Sequence, residues 1–151
     1  MADYYQSPRW SNEIADCSMP MTFDTYSNCS FGCIYCFSQF QRGIGGAKEN
    51  YLHKDVKHVS VDKIKRMFTD PDKYGGQFKE YIKQRKVMQW GGLSDQFDGF
   101  ERKYGITLEL LRFFKEIDYP LCFSTKATWF TEDERYMELI QGQKNWNFKF
   151  S

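Results

Sequence analysis

Short strand-like segments alternate with helical segments along this chain, and the alternation constrains its fold more than any other feature. Alternating apolar and polar residues predict a first, half-buried strand at 21–26. Short apolar runs predict three more strands, at 87–90, 121–125 and 147–151. Strands that are separated by helices are typical of a parallel sheet with helices packed outside it.

Start and stop signals mark the helices between these strands. Ser60 is expected to cap a helix that ends before Pro71, and a second helical stretch follows it. Thr107 is expected to cap a long amphipathic helix. Thr131 and Glu134 have the spacing of a capping box, which predicts the start of the last helix.

The fold class that follows is α/β, in the form of a partial parallel (β/α) barrel. Residues 1–20 are polar and aperiodic and are interpreted as an N-terminal arm, whereas residues 21–151 form the N-terminal portion of the barrel domain. A complete eight-unit barrel typically takes ~250 residues. We therefore expect the 151 residues to be the first half or so of a barrel, truncated after the fourth strand.

Charge and hydropathy exclude several classes of protein. The chain has 21 basic and 20 acidic residues, so no global field favours nucleic acid or an acidic membrane. No apolar run approaches the ~18 residues of a membrane helix, and Met1 does not begin a signal peptide. A cytoplasmic, reducing location is expected. Five cysteines in such a compartment indicate metal binding or catalysis instead of disulfides.

Three of the cysteines lie within eight residues, directly after the first predicted strand. Cys29, Cys33 and Cys36 have the spacing C-x3-C-x2-C. Cysteine thiolates hold iron–sulfur clusters, and three ligands this close can cap three irons of a cubane and leave the fourth open. Gly32 is expected to let the backbone fold tightly beside the cluster, where a Cβ would crowd it.

A structural zinc site is the alternative interpretation of these cysteines. Such sites normally use four protein ligands, often in paired C-x2-C units. No second pair is present, and His53 and His58 are the only histidines. Cys17 lies outside the motif, and Cys122 is expected to be a small buried residue of the third strand.

Residues at the ends of the next two strands extend the candidate site. In a parallel α/β sheet, ligands bind at the carboxyl ends of the strands. Gly91 and Gly92 follow the second strand and could offer bare backbone carbonyls to an ammonium group. Lys126 follows the third strand and could pair with a carboxylate.

The cysteine segment resembles the signature of the radical S-adenosylmethionine (SAM) superfamily, C-x3-C-x-aromatic-C after the first strand, with Tyr35 in the aromatic position. The resemblance implies a barrel of the radical SAM type with a [4Fe–4S] cluster, whose open iron is chelated by SAM. Reduction then cleaves SAM to methionine and a 5′-deoxyadenosyl radical, which abstracts hydrogen from a substrate. It also implies lyase-like or other radical chemistry and an electron donor such as flavodoxin or ferredoxin. No membrane partner is expected, because the chain has no apolar run of membrane-spanning length.

Within that superfamily, residues 91–126 are similar to the branch related to spore photoproduct lyase. Gly91 and Gly92 match the start of a Gly-Gly-Glu-like stretch that receives the SAM amino group, with Ser94 just beyond them. In that branch a lysine after strand three and a serine after strand four contact SAM, and Lys126 and Ser151 match them. The same resemblance suggests nucleic acid as the substrate class, without identifying the reaction.

A different class of function stays open, namely a non-catalytic binding module stabilised by iron–sulfur or zinc. A nucleic-acid module would need a basic face with exposed aromatic residues. The only candidate stretch is 51–66, which contains Lys54, Lys57, Lys63 and Lys65. A truncated relative that binds the cluster without completing a substrate pocket is a third hypothesis. The charged run 101–103 is interpreted as a surface cluster.

Overall fold

The framework of the fold is one sheet of five strands. The computed structural model describes residues 8–10, 19–36, 38, 52, 53 and 55–151. Neighbouring strands follow chain order, from β1 at one edge to β5 at the other. The strands are β1 (Arg9–Trp10), β2 (Met21–Phe23), β3 (Met88–Trp90), β4 (Leu121–Thr125) and β5 (Trp146–Phe150). Strands β2 to β5 are parallel, and β1 is antiparallel to β2. The predicted α/β class with a mostly parallel sheet is confirmed, and the sheet is open in the described residues.

The strand bounds differ from the prediction at the start of the chain. Strand β1 lies inside the expected N-terminal arm, where Arg9 pairs with Thr22 in β2. Two residues are too few to produce a period, so the sequence could not reveal this strand. Strand β2 ends at Phe23, three residues early, although the chain continues to Tyr26, which forms an isolated bridge with His58.

The helices lie in the connections between the parallel strands. They are α1 (Val61–Thr69), α2 (Pro71–Tyr74), α3 (Lys79–Lys83), α4 (Gly99–Tyr104), α5 (Ile106–Glu116) and α6 (Glu134–Ile140), with 3-10 turns at Gly76–Phe78 and Trp129–Glu132. None of these helices is long and apolar enough to cross a membrane.

Ser60 caps α1 as expected, but two other predicted caps are wrong. Helix α5 begins after Gly105, and Thr107 lies inside its first turn. Its first amides are held from outside the helix, because the Glu101 carboxylate accepts the N–H groups of Thr107 and Leu108, each at 2.8 Å. Glu101 is therefore a buried residue of this network. The prediction that it belongs to a surface cluster is wrong.

Helix α6 is capped by Asp133, whose side chain accepts the backbone N–H of Arg135 at 3.1 Å. The predicted capping box at Thr131 and Glu134 does not form. The Thr131 hydroxyl instead donates to the Thr128 carbonyl within the preceding 3-10 turn, at 2.7 Å. Because the 3-10 turn precedes α6, the cap of this helix lies two residues later than predicted.

The two faces of the sheet differ in polarity. Side chains alternate across a strand, so one face of each strand meets the helices. That face is apolar and forms the core with α1 and α5: Met21, Phe23, Met88, Trp90, Leu121, Phe123, Ile64, Phe68, Leu111 and Phe114. The opposite face carries a row in register, Thr22, Gln89, Cys122 and Asn147. Cys122 is buried there, as expected.

Truncation of the α5 core face should destabilise the whole domain. Leu111 is fully buried, whereas Arg112, its neighbour on the same helix, is exposed. We expect Leu111→Ala to lower the free energy of unfolding by about 3 kcal/mol, because it removes buried methyl groups and leaves a cavity. Arg112→Ala should change it by about 0.5 kcal/mol or less. Urea denaturation measures both; equal effects would contradict this packing.

Candidate functional site

The carboxyl ends of the parallel strands open into one cavity of about 210 Å³. All nine residues that the sequence predicted for the site line it: Cys29, Cys33, Tyr35, Cys36, Gly91, Gly92, Ser94, Lys126 and Ser151. Phe31, Ser38, Leu93, Asp95, Ser124 and Thr125 complete the lining. Residues that are up to 122 positions apart in the chain thus meet at one place.

The cysteine loop (residues 29–36) follows the segment that continues β2 to Tyr26. It ends in a tight turn, in which the Cys36 N–H donates to the Cys33 carbonyl at 3.1 Å. Burial raises the pKa of the Cys29 thiol, and hydrogen bonds from the backbone N–H groups of Phe31 and Asp95 act against this rise. None of the described cysteines takes part in a disulfide. The loop therefore presents thiols to the cavity.

Gly32 adopts a backbone conformation that favours glycine. Its φ is +61°, in the left-handed region that residues with a Cβ rarely adopt. A Cβ would meet only the Leu52 side chain, at 3.8 Å. The backbone conformation by itself therefore favours glycine here, and the expected close approach to a cluster stays a prediction.

The three motif cysteines line the cavity together. Over the described ranges, no group of three or more His, Cys, Asp or Glu side chains is arranged to hold a single metal ion. A mononuclear zinc site requires such convergence. A cubane cluster has a different requirement, because each cysteine ligand binds its own iron. Three thiols on one loop that faces one cavity supply the soft donors for a cluster.

The Gly91–Gly92 turn packs directly on its neighbours. Gly91 has φ of +93°, and a Cβ there would lie 2.6 Å from the Ser124 carbonyl oxygen. At Gly92 a Cβ would collide with the Thr22 hydroxyl. Among the hydrogen bonds of the described residues, none ends on the carbonyl oxygen of either glycine. Both carbonyls retain their acceptor capacity.

Asp24, which the sequence analysis missed, holds the segment after these glycines. One carboxylate oxygen accepts the N–H groups of Leu93 and Ser94, each at 2.8 Å. The other oxygen pairs with Arg9 of β1. The Ser94 hydroxyl lies 3.2 Å from Asp24 and 2.9 Å from the Tyr26 carbonyl. Its single proton is used within the protein, so Ser94 can serve a ligand only as an acceptor.

Asp95 joins the loop after β3 to the loop after β4. Its carboxylate accepts the Thr125 hydroxyl at 2.7 Å, the Lys126 N–H at 2.8 Å and the Phe97 N–H at 2.9 Å. Burial raises the pKa of Asp95, and these hydrogen bonds oppose the rise. The backbone at Lys126 is therefore fixed by a side chain from the neighbouring loop.

Asp98 makes the corresponding connection to the cysteine loop. It accepts the Ser30 N–H and the Phe100 N–H, each at 2.9 Å, and the Ser30 hydroxyl accepts the Gly99 N–H at 3.1 Å. Burial raises the pKa of Asp98 to about 6, although both amides favour the charged form. The residue that follows Cys29 is thus anchored to the start of α4.

Lys126 and Tyr35 meet across the cavity. The Lys126 ammonium lies 4.6 Å from the centroid of the Tyr35 ring, which is a cation–π contact. Tyr35 is 69% exposed, so this ring lies at the surface of the cavity. Ser151 continues the β4–β5 ladder, because its N–H donates to the Thr125 carbonyl at 3.1 Å.

The basic stretch 51–66 is not a uniform positive surface. Lys65 pairs with Glu109 at 3.6 Å, and Asp62 is exposed on the same helix. Tyr51 and Lys54 lie outside the described residues, as does Cys17.

Sequence reasoning missed Asp24, Asp95 and Asp98 as organisers of the site. A weak signal was available, since each acid comes at or soon after the carboxyl end of a strand. Comparison with family models, curated proteins and solved structures found no match to this chain.

The Gly91 turn should not tolerate a side chain. We expect Gly91→Ala to lower the free energy of unfolding by about 3 kcal/mol or more, from backbone strain plus the collision with Ser124. Gly142 is a matched control, because its φ is +79° and a Cβ would meet nothing within 4 Å. Gly142→Ala should cost about 1 kcal/mol, from strain alone. Similar losses in urea denaturation would contradict the close approach.

Asp98 should make the metal-free chain less stable as the pH rises. Its folded pKa is about 6 and its ordinary value is 3.8, so the folded state binds the proton more tightly. The free energy of unfolding that protonated Asp98 contributes is fully present below about pH 4. It is lost as the pH rises through about 6, a change of about 2–3 kcal/mol. Asp98→Asn should remove this decrease. Urea denaturation at pH 4.5 and 7 tests it; parallel pH profiles for both proteins would refute the assignment.

Proposed function

We propose that this chain is a radical SAM protein that holds a [4Fe–4S] cluster through Cys29, Cys33 and Cys36 and binds SAM beside it. The observation that carries the proposal is the cavity itself. The three thiols of the motif and the six residues expected to contact SAM line the same space. The spacing of the cysteines and the aromatic Tyr35 within the motif support the same proposal.

Each side of the cavity offers a different kind of contact. The carbonyl oxygens of Gly91 and Gly92 are acceptors suited to the SAM ammonium group, and Ser94 adds an acceptor. Lys126 supplies a positive charge suited to the SAM carboxylate. Lys126 is held over Tyr35 at 4.6 Å, so binding would exchange a cation–π contact for an ion pair. Ser151 adds a hydroxyl at the end of β5.

The cofactors supply the difficult chemistry: when bound and reduced, the cluster cleaves SAM to methionine and a 5′-deoxyadenosyl radical, which abstracts hydrogen from the substrate. The protein's part is to orient these groups and to restrict water. Phe31 and Leu93 contribute apolar surface to the cavity lining. Asp24, Asp95 and Asp98 fix the three loops before a ligand binds, which lowers the ordering cost of binding.

The proposal extends to the setting of this reaction. It includes a (β/α) barrel of the radical SAM type, of which the open sheet is one part, and a reducing cytoplasmic location. It also includes an electron donor such as flavodoxin or ferredoxin. The substrate is unidentified, and nucleic acid is the class that the resemblance suggests.

Reconstitution without oxygen tests the proposal. We expect about four irons and four sulfides per chain, as a cubane requires, and release of 5′-deoxyadenosine when SAM and a strong reductant are added. Cys33→Ala should abolish both. Cys122→Ala is the control, since this buried cysteine does not line the cavity. It should retain the cluster and the cleavage of SAM.

Two results would contradict the proposal. One is stoichiometric zinc, without iron or sulfide, in protein purified and reconstituted without oxygen. The other is a cluster that forms equally well in Cys33→Ala, because the motif cysteines would then not be the ligands.

A further inference from the structure

One buried carboxylate, that of Asp24, accepts the two backbone N–H groups that directly follow Gly91 and Gly92. We infer that Asp24 is a positioning residue that sets the orientation of the Gly91–Gly92 turn and thereby the affinity for SAM, with Arg9 as its counter-charge. The inference rests on the proposed function, because SAM is the ligand that the turn is proposed to receive.

The argument begins with the planarity of the peptide bond. In a trans peptide the N–H of one residue and the C=O of the preceding residue point in opposite directions. The Leu93 N–H is directed at the Asp24 carboxylate, 2.8 Å away. The Gly92 carbonyl, which belongs to the same peptide unit, therefore points away from Asp24. The Ser94 N–H, also 2.8 Å from Asp24, orients the Leu93 carbonyl in the same way.

Glycine makes this control necessary. A glycine backbone has more accessible conformations than any other, so two consecutive glycines do not fix their own peptide planes. Gly91 is held at its N–H by the Phe23 carbonyl, at 2.9 Å. Asp24 holds the other end of the turn at Leu93 and Ser94. The two glycine carbonyls lie between these fixed points.

Arg9 supplies the positive partner of the buried Asp24 side chain. The Asp24 side chain is 0% exposed and that of Arg9 is 20% exposed. An unpaired buried carboxylate is costly, and a guanidinium partner offsets that cost. Arg9 also packs against the turn, because a Cβ on Gly92 would lie 3.5 Å from its Nη2 atom. The expected N-terminal arm therefore contributes a residue to the support of the site.

The test compares Asp24 with a second buried carboxylate that forms the same kind of hydrogen bonds at another place in the fold. Glu101 also accepts two consecutive backbone amides, those of Thr107 and Leu108, but it holds the start of α5 and does not line the cavity. Asp24→Asn and Glu101→Gln each replace a buried carboxyl group by an amide with little change of shape. Asp24→Ala removes the acceptor altogether.

Three measurements on the full chain separate the roles. Iron and sulfide content after reconstitution should stay at the wild-type level in the Asp24 variants. The Kd for SAM, from equilibrium binding, should rise at least about tenfold in Asp24→Ala, the usual scale for loss of a group that orients a ligand contact. It should rise about fivefold in Asp24→Asn, because an amide oxygen is a weaker acceptor than a carboxylate. Glu101→Gln should bind SAM within about twofold of wild type, because Glu101 holds the start of α5 and does not line the cavity.

Hydrogen exchange of the metal-free chain gives a readout that does not need the cofactors. The amides of Leu93 and Ser94 should exchange at least about tenfold faster in Asp24→Ala, because they lose their acceptor. In Glu101→Gln these two amides should keep their wild-type rates.

The outcomes distinguish the inference from the function on which it rests. If the wild-type chain binds no cluster or no SAM, the proposed function fails and the inference fails with it. If wild type binds both, and the Asp24 variants bind SAM as tightly, only the inference is overturned. A loss of SAM affinity in Glu101→Gln as large as in Asp24→Asn also overturns it, because the effect would then be general. If Asp24→Ala does not fold, Asp24→Asn decides by the same criterion.

Discussion

Buried carboxylates that accept backbone N–H groups hold the loops at the carboxyl end of the sheet together. Asp24 at the end of β2 accepts amides from the loop after β3. Asp95 and Asp98 of that same loop accept amides from the loop after β4 and from the cysteine loop. The segment from Leu93 to Gly99 is thus the point at which three loops are joined. The shape of the cavity depends on these contacts.

Carboxylates suit this position because of the peptide groups that the strands leave behind. Where a strand ends, the backbone N–H groups lose their ladder partners, and a buried amide without an acceptor is costly. One carboxylate can accept several such amides, and charged acceptors form stronger hydrogen bonds than neutral ones. Desolvation is the cost, and it appears as the raised pKa of Asp95 and of Asp98.

Apolar packing and polar hydrogen bonding are divided between different parts of the molecule. Aromatic side chains on one face of the sheet form the core with the helices, as in the contact of Trp90 with Phe123, whose ring centroids are 5.3 Å apart. The carboxylate network lies where the strands end, so the loops can be shaped for a ligand without disturbing the core. The glycines in this region, Gly91 above all, let the loops approach each other closely.

The sequence by itself determined the order of the four parallel strands, the cap at Ser60, the burial of Cys122 and nine of the fifteen residues that line the cavity. These features follow from local periodicity, from residue chemistry and from the rule that parallel strands end at the same edge. For Tyr35, Ser94 and Ser151 they follow from the family resemblance alone. Only the tertiary structure decided the strand at Arg9, the roles of Asp24 and Glu101, and the true starts of α5 and α6. The physical reason is distance along the chain: the Asp24 carboxylate and the Leu93 amide are 69 residues apart, and no local pattern encodes which carboxylate a distant amide meets.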